Sequence, residues 1–295
     1  GVVWYLSNIG YVRYFGSLLS WFTLFPFIYI LSNESFKKGI VLSAVFGFSA
    51  YLVHFWWMII PVTIVMKNSI LPPHIMVLSF LLGLVITVSV SFFHGFIYTL
   101  MFVFSKFVSK RRGLFFVIFP LAATVVDGFF PKLWMDYLGY SQFCFPYITQ
   151  AVDLFGVSFL TFLMMLTNSL IAYAFYCFSS REKINFTLLS FSCFTVCIIS
   201  ATVIYGVYRY NDISLKILKS PKSNIGLVQG NYSGLEKKRE TINNQIMRYN
   251  VLSKKLLKEN PQIIVWPESA IPVKFSSNNT NYNRVKYFNT IPLLF

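Results

Sequence analysis

The sequence predicts a polytopic α-helical membrane domain followed by the beginning of an α/β domain. Hydrophobic residues make up 56% of its 295 residues and charged residues only 12%, whereas about 25% of residues are charged in ordinary soluble domains. Several stretches without Asp, Glu, Lys or Arg are long enough to cross a bilayer, which takes about 20 apolar residues. After residue 208, short apolar runs and amphipathic spacing return, as expected of a water-exposed domain.

The uncharged stretches predict about six membrane spans. Five of them are residues 14–33, 40–66, 68–105, 154–180 and 184–208. The sixth, residues 113–126, is shorter and runs up to Asp127, so it crosses only if that carboxylate faces protein or water rather than lipid. We therefore assign residues 1–208 to a membrane domain and residues 209–223 to a linker.

The basic residues in the loops between the predicted spans indicate which loops are cytoplasmic. They cluster at residues 37–38, 106–112 and 181–183, and the intervening loops carry only Lys67 and Lys132. Because short cytoplasmic loops are enriched in Lys and Arg, we expect the three clusters to be cytoplasmic and the chain to leave the membrane on the outer side. Most of the +15 net charge lies in this exported tail, where it does not indicate nucleic-acid binding.

The region after the linker has the pattern of a βαβ unit. Residues 224–229 (NIGLVQ) and 262–266 (QIIVW) are short apolar runs typical of buried strands. Between them, residues 235–259 have apolar side chains three or four positions apart, which predicts a helix. Such a unit has parallel strands, but two strands and one helix cannot bury a layered core. We therefore expect residues 224–295 to be an incomplete α/β domain.

The second predicted strand ends in WPESAIP, residues 266–272. In open α/β sheets, reacting groups gather at the carboxyl ends of the strands, so Glu268 lies where a general base would. Its position alone leaves open the alternative of an ordinary surface glutamate.

The string WPESAIP after an apolar strand resembles the glutamate motif of apolipoprotein N-acyltransferases, which are membrane members of the nitrilase (carbon-nitrogen hydrolase) superfamily. Residues 226–231 (GLVQGN) are similar to the family's first nitrilase strand and its turn, and residues 138–142 (LGYSQ) to its GYSQ element. The resemblance implies a multi-pass protein of the bacterial inner membrane. It also implies that the α/β part is a periplasmic, nitrilase-like αββα sandwich.

The resemblance further implies an activity: transfer of an acyl chain from a phospholipid to the N-terminal cysteine amine of a diacylated apolipoprotein, through a thioester on the enzyme. It implies a Glu-Lys-Cys triad, in which Glu268 matches the general base. The family's lysine and cysteine come later than Phe295, so we expect this chain to be truncated and inactive alone. All four cysteines of the chain precede the motif: Cys144, Cys177, Cys193 and Cys197.

Two other functions stay open. One is a polytopic transporter or channel component, which the scarcity of charged residues within the spans disfavours. The other is a non-catalytic membrane protein that binds lipid or lipoprotein. No metal, nucleotide or haem motif is present, so no cofactor is expected.

A few polar residues of the membrane domain have alternative interpretations. His54, beside two tryptophans, fits a functional site and an interfacial anchor equally well. His94 is expected to be a packing residue. Asp127, Asp136 and Asp153 surround the outer loop with the GYSQ-like element, and solvated carboxylates are slightly favoured there over a lipid entrance.

Overall fold

The computed structural model describes residues 13–69, 76–109, 111–181, 185–268, 270–271 and 293–294. The chain divides into two compact units, Gly1–Leu215 and Lys216–Phe295. This division falls inside the segment predicted as a linker, residues 209–223. The structure extends the last long helix as far as Lys219, so most of that segment is helical.

In the part of the first unit that the structure describes, the regular elements are all helices. Its helices are α1 (Arg13–Leu19), α2 (Phe25–Asn33), α3 (Phe36–Phe55), α4 (Ile59–Ser69), α5 (Met76–Val108), α6 (Arg112–Phe129), α7 (Pro146–Thr149), α8 (Val152–Phe155), α9 (Ser158–Ser179) and α10 (Phe186–Lys219). Short 3-10 turns occur at Trp56–Met58 and Leu138–Gln142. The core between the helices is rich in phenylalanine, and its fully buried side chains include Phe102, Phe115, Phe116, Phe119 and Tyr173.

Within the described residues, five helical segments are long and apolar enough to cross a membrane. They are Phe36–Val65, Val77–Val108, Arg112–Phe129, Ser158–Ser179 and Phe186–Lys219. The polytopic α-helical fold class is therefore confirmed. The condition placed on the shortest predicted span is also met, because Asp127 near the end of α6 is buried in protein with 3% of its surface exposed.

The first predicted span, residues 14–33, is not one continuous helix. It is interrupted between α1 and α2, where the main-chain hydrogen bond from Leu24 N–H to the Ser20 carbonyl is missing. The side chain of Asn168 replaces it: Oδ1 accepts from Leu24 N–H at 2.8 Å, and Nδ2 donates to the Ser20 carbonyl at 2.9 Å. Insertion of a side chain into the helical ladder distorts a helix, and Pro26 in the first turn of α2, which has no N–H to donate, favours a break at the same place.

Helices α3 and α5 pack with their backbones in contact. A Cβ atom at Gly47 would overlap the carbonyl oxygen of Gly95, and a Cβ at Gly95 would lie 2.6 Å from the Phe48 nitrogen. Small residues at a crossing allow helices to approach closely, which substitutes for the hydrophobic driving force that is missing between helices in lipid. The pair of glycines therefore sets the spacing of this hairpin.

The second unit contains a parallel sheet of β1 (Ile225–Leu227), β2 (Ile263–Val265) and β3 (Leu293–Leu294), in that order. The predicted parallel pairing of the first two strands is confirmed, with Ile225 opposite Ile263. Two helices, α11 (Gly234–Arg239) and α12 (Ile242–Leu256), connect β1 to β2. The α/β character is thus confirmed, while the full αββα sandwich stays a prediction.

The single helix predicted for residues 235–259 is divided in two. Ser233 begins α11 with a capping box, in which its hydroxyl accepts from the Glu236 amide and the Glu236 side chain accepts from the Ser233 amide. Thr241 then begins α12 by accepting from the Asn244 amide. Ser233 and Thr241 are N-caps eight residues apart, and each side chain accepts from a main-chain amide in the first turn of its own helix. In one continuous helix these amides would bond to main-chain carbonyls instead.

Candidate active site

Glu268 follows β2 at the edge of the sheet where the carboxyl ends of the strands lie. Beyond the paired strands, the Val228 amide donates to the Val265 carbonyl at 3.0 Å. The chain then turns, and the Pro267 carbonyl accepts from the Ala270 amide at 3.0 Å. Glu268 lies in this turn and is exposed. A carboxylate so placed is accessible to a nucleophile or a substrate.

Trp266 holds the end of β2 in place. It is buried, its Nε1–H donates to the Ser253 hydroxyl on α12 at 2.9 Å, and its ring stacks on Tyr249 with 4.9 Å between centroids. A buried indole with a satisfied N–H and an aromatic neighbour is a rigid anchor. The backbone that leads into Glu268 is therefore fixed against α12.

The loop after β1 forms the other side of the candidate site. A Cβ at Gly230 would lie 2.5 Å from the Tyr249 hydroxyl, so the loop can pass the ring only with glycine at this position. The next residue, Asn231, has a left-handed conformation with φ of 50°, which asparagine tolerates better than most residues. The segment GLVQGN thus ends in a close turn at the same sheet edge as Glu268.

The other members of the expected triad are not brought to Glu268 by the part of the chain that the structure describes. No described side chain pairs with the Glu268 carboxylate. All four cysteines lie in the first unit, away from any strand: Cys144, Cys177, Cys193 and Cys197. Among the described residues, no group of three His, Cys, Asp or Glu side chains could hold a metal ion.

A second polar site lies within the helical unit, around Asp127. Its Oδ1 is 2.5 Å from Lys132 Nζ, and neither side chain is more than 4% exposed. Its Oδ2 accepts from the Thr161 hydroxyl at 2.8 Å, and Thr161 in turn accepts from the Gly139 amide at 3.1 Å. The expectation of a solvated carboxylate is wrong for Asp127. The opposite charges of Asp127 and Lys132 cancel. Through the hydrogen bond from Thr161, the pair also connects the loop after α6 to α9.

Asp136 and His54 extend this polar site. Asp136 Oδ2 lies 3.7 Å from His54 Nε2, and both side chains are about nine-tenths buried. Burial raises the pKa of the Asp136 carboxyl to about 6, although the nearby Lys132 ammonium acts in the opposite direction. The two residues line a cavity of about 50 Å³ together with Tyr51 and Tyr98, which is room for water rather than for a lipid chain. His54 therefore faces the protein interior, unlike an interfacial anchor.

His94 and Asp153 have structural roles. His94 Nδ1 is 3.1 Å from the Val90 carbonyl, and its Nε2 accepts from the Leu133 amide at 3.3 Å. The expectation of a packing histidine is thus confirmed. Asp153 accepts from Arg209 Nε at 2.8 Å on the exposed surface, as expected for a solvated carboxylate.

Three residues of the GYSQ-like segment, Gly139, Ser141 and Gln142, are buried, whereas Tyr140 is 45% exposed. Gln142 is fully buried; its Nε2 donates to the Ser17 carbonyl at 3.0 Å, and its Oε1 accepts from Trp21 Nε1–H at 2.8 Å. Ser141 accepts from Gln142 at 3.0 Å and donates to Ser20 at 3.4 Å. Together with Asn168, these side chains hold the interrupted first span. In the sequence, the polar pair Ser141 and Gln142 between apolar segments was the only indication of these buried contacts.

Comparison with known proteins decides the family. A family model described as the apolipoprotein N-acyltransferase N-terminal domain matches residues 1–170, more than half of the chain. The chain belongs to the apolipoprotein N-acyltransferase family. The predicted family is therefore confirmed; of the three motifs, LGYSQ lies within the matched region, whereas GLVQGN and WPESAIP follow it.

Two curated apolipoprotein N-acyltransferases are similar to this chain. The protein of Geobacter metallireducens is 27% identical over 285 residues, covering 92% of the chain and 50% of that protein. Apolipoprotein N-acyltransferase 1 of Treponema denticola is 23% identical over 282 residues, covering 91% of the chain and 47% of that protein. The chain thus spans about half the length of these curated relatives. The family model's region includes the Asp127–Lys132 pair and the GYSQ-like segment.

Proposed function

We propose that this chain takes part in the last acylation of bacterial lipoproteins, as the membrane part and the beginning of the catalytic domain of an apolipoprotein N-acyltransferase. The exposed carboxylate of Glu268 at the carboxyl end of a parallel strand carries the proposal. The family match and the curated names of the relatives support it. The reaction moves an acyl chain from a phospholipid to the N-terminal cysteine amine of a diacylated apolipoprotein.

Glu268 acts as the general base in the first step. It removes the proton from an enzyme thiol, the thiolate attacks an ester carbonyl of the phospholipid, and the lysophospholipid leaves with a proton, so that a thioester remains. A lysine stabilises the oxyanion that develops in this step. In the second step the apolipoprotein amine attacks the thioester, which forms the amide and regenerates the thiol. The lysine and the cysteine are implied by the family resemblance.

The membrane unit brings both substrates to this chemistry. Each substrate carries acyl chains that remain in the bilayer, so an enzyme acting on them benefits from helices that cross the same membrane. The three basic clusters are cytoplasmic in our proposal, following the preference of Lys and Arg for short cytoplasmic loops. Helix α10 then runs outward, and the sheet that carries Glu268 lies on the periplasmic side of the inner membrane.

The test is formation of the acyl-enzyme. The full encoded protein is incubated with a phospholipid that carries a labelled acyl chain, and the label bound as a thioester is measured by its release with neutral hydroxylamine. We expect Glu268→Gln to slow thioester formation by at least about 100-fold, the lower end of general-base effects. We also expect no thioester on the 295-residue chain alone.

Glu259→Gln is the matched control, because Glu259 is an exposed glutamate of the same unit that lies at the end of a helix rather than at the sheet edge. This variant should form the thioester at the rate of the unaltered protein. A Glu268→Gln variant with an unchanged rate would exclude Glu268 as the base. A full encoded protein that binds labelled phospholipid without forming any thioester would support a non-catalytic binding protein instead.

A further inference from the structure

An open apolar groove runs along the helical unit between α6, α9 and α10. It has a volume of about 490 Å³ and is lined almost entirely by apolar side chains. Val117 and Leu121 of α6 form one wall, and Phe191 and Phe194 of α10 form the opposite wall. Leu166 of α9 lies among the lining residues and is only 2% exposed. The groove is therefore large enough for part of a hydrocarbon chain, and its only polar lining side chains among the described residues are the hydroxyls of Thr187 and Ser190.

A second, polar cavity lies next to the groove, at the end of α6 that carries the basic residues. This second cavity has a volume of about 870 Å³ and is lined by Arg111, Arg112 and Asn185, while Thr187 lines both cavities. Both arginines are exposed. Neither guanidinium has an ion pair or a hydrogen bond with any residue that the structure describes. Within the described part of the chain, two adjacent cations thus lie unpaired in a cavity that shares Thr187 with the apolar groove.

The two ends of α10 have different neighbours. Towards its outer end, α10 touches α7, because Gly206 lies directly against the Tyr147 carbonyl with no room for a Cβ atom. Tyr205 and Arg209 both donate to Asp153 in the same region. Towards its start, Phe186 is 84% exposed beside the groove. Both halves of α10 therefore contact the helical unit, since Leu188 and Phe191 near its start are buried in the core, and the groove lies beside the exposed Phe186.

We propose that this groove binds one anionic phospholipid from the leaflet on the side of Arg111 and Arg112. The guanidinium groups bind the phosphate, and one acyl chain lies between α6 and α10. Guanidinium forms paired, charge-assisted hydrogen bonds with phosphate oxygens, and basic pockets between membrane helices bind anionic lipid head groups. A soluble anion would use the arginines but would leave the apolar groove without an occupant.

This lipid is distinct from the acyl donor. In the proposed topology, Arg111 and Arg112 belong to a cytoplasmic cluster, whereas Glu268 acts on the periplasmic side. The lipid stabilises the packing of α10 against α6 and α9. It is bound without being converted into a product. The inference therefore stands or falls independently of the acyl transfer.

The first test measures which lipid the protein retains. The full encoded protein is purified in detergent, phosphatidylglycerol or phosphatidylcholine is titrated, and bound lipid is counted by native mass spectrometry. We expect one phosphatidylglycerol to bind in preference to phosphatidylcholine. In Arg111→Gln/Arg112→Gln this binding should weaken about 30-fold, which corresponds to roughly 2 kcal/mol.

Lys37→Gln/Lys38→Gln is the matched control, because it removes two exposed charges from another basic cluster that does not line the groove. It should leave the binding unchanged. Equal weakening in both double variants would show a general surface attraction and would overturn the site. Equal binding of inorganic phosphate, measured as protection against heat, would also overturn it.

The second test fills the groove. Leu121→Trp places an indole where the acyl chain would lie, whereas Leu81→Trp changes an equally exposed leucine of α5 outside the groove. We expect only Leu121→Trp to abolish the bound phosphatidylglycerol, with the arginines intact. Retention of the lipid in a folded Leu121→Trp protein would contradict the placement of the acyl chain.

Discussion

Asn168 carries out, with its side chain, the hydrogen bonding that a helix normally provides for itself. It is fully buried, and its amide bonds both main-chain groups that the break between α1 and α2 exposes, at Ser20 and Leu24. In the apolar interior of a membrane, an unsatisfied main-chain group costs several kcal/mol. The Asn168 amide of α9 therefore stabilises the interrupted span.

Asn168→Ala should lower the stability of the helical unit. The substitution leaves the buried Ser20 carbonyl and the partly buried Leu24 amide without this partner, and a buried unsatisfied group costs about 1–3 kcal/mol. We expect thermal unfolding in detergent to occur at a clearly lower temperature. Asn33→Ala is the control, since Asn33 donates only to the Tyr29 carbonyl on an exposed surface, and it should change the unfolding temperature little. Equal unfolding temperatures for the two variants would contradict the role of Asn168.

The sequence predicted the position of Glu268 better than the surroundings of Asp127, and the role of Glu268 as a base stays a prediction. Glu268 was recognised from its position after an apolar strand and from WPESAIP. Asp127 was expected to be solvated, because the sequence does not show that the chain folds back and brings Lys132 to it. Opposite charges five residues apart were visible, but burial of the pair depends on packing against Thr161 of α9.

At the scale of elements, the closest helix packing depends on glycine rather than on large apolar side chains. Gly47 and Gly95 bring the backbones of α3 and α5 into contact. Uncharged runs predicted the positions of both helices, but they did not predict which faces meet, since nearly every position of these runs is apolar. Gly47 and Gly95, which have no side chains, therefore determine where these two helices cross.

Gly47→Ala should destabilise the helical unit, although alanine favours a helix over glycine by about 1 kcal/mol. The added Cβ overlaps the Gly95 carbonyl, and overpacking of this kind costs about 1–3 kcal/mol. We expect a net loss of stability in chemical or thermal unfolding. Gly128→Ala, where the nearest atom is a serine hydroxyl 3.3 Å away, should be neutral or slightly stabilising. A stabilised Gly47→Ala protein would show that α3 and α5 are not in backbone contact.

Helix boundaries were predicted less well than helix existence. Pro26 in the first turn of α2 is a local signal for the break in the first span, but the partner Asn168 lies more than 140 residues further along the chain and has no local signal. The division between α11 and α12 was visible in principle, because Ser233 and Thr241 are ordinary N-cap residues. This division was not predicted, because the apolar residues of 235–259 keep helical spacing across it.

At the scale of the whole molecule, the family match and the motif around the candidate base lead to the same family. The family model covers residues 1–170 and so rests on the helical unit, whereas the candidate base lies in the sheet unit. Composition and charge were sufficient to predict the polytopic unit, since lipid excludes charges from its spans. The position of Glu268 was predicted because a parallel βαβ unit places strand ends at one edge.

Acyl transfer by the full encoded protein is the measurement that tests this account most directly. Labelled phospholipid and a diacylated lipopeptide with a free N-terminal amine are incubated with the purified protein in detergent, and triacylated lipopeptide is measured by mass spectrometry. We predict transfer that requires both lipids and is lost when the lipopeptide amine is acetylated beforehand. A folded protein that binds both lipids but forms no triacylated product would contradict the proposed function.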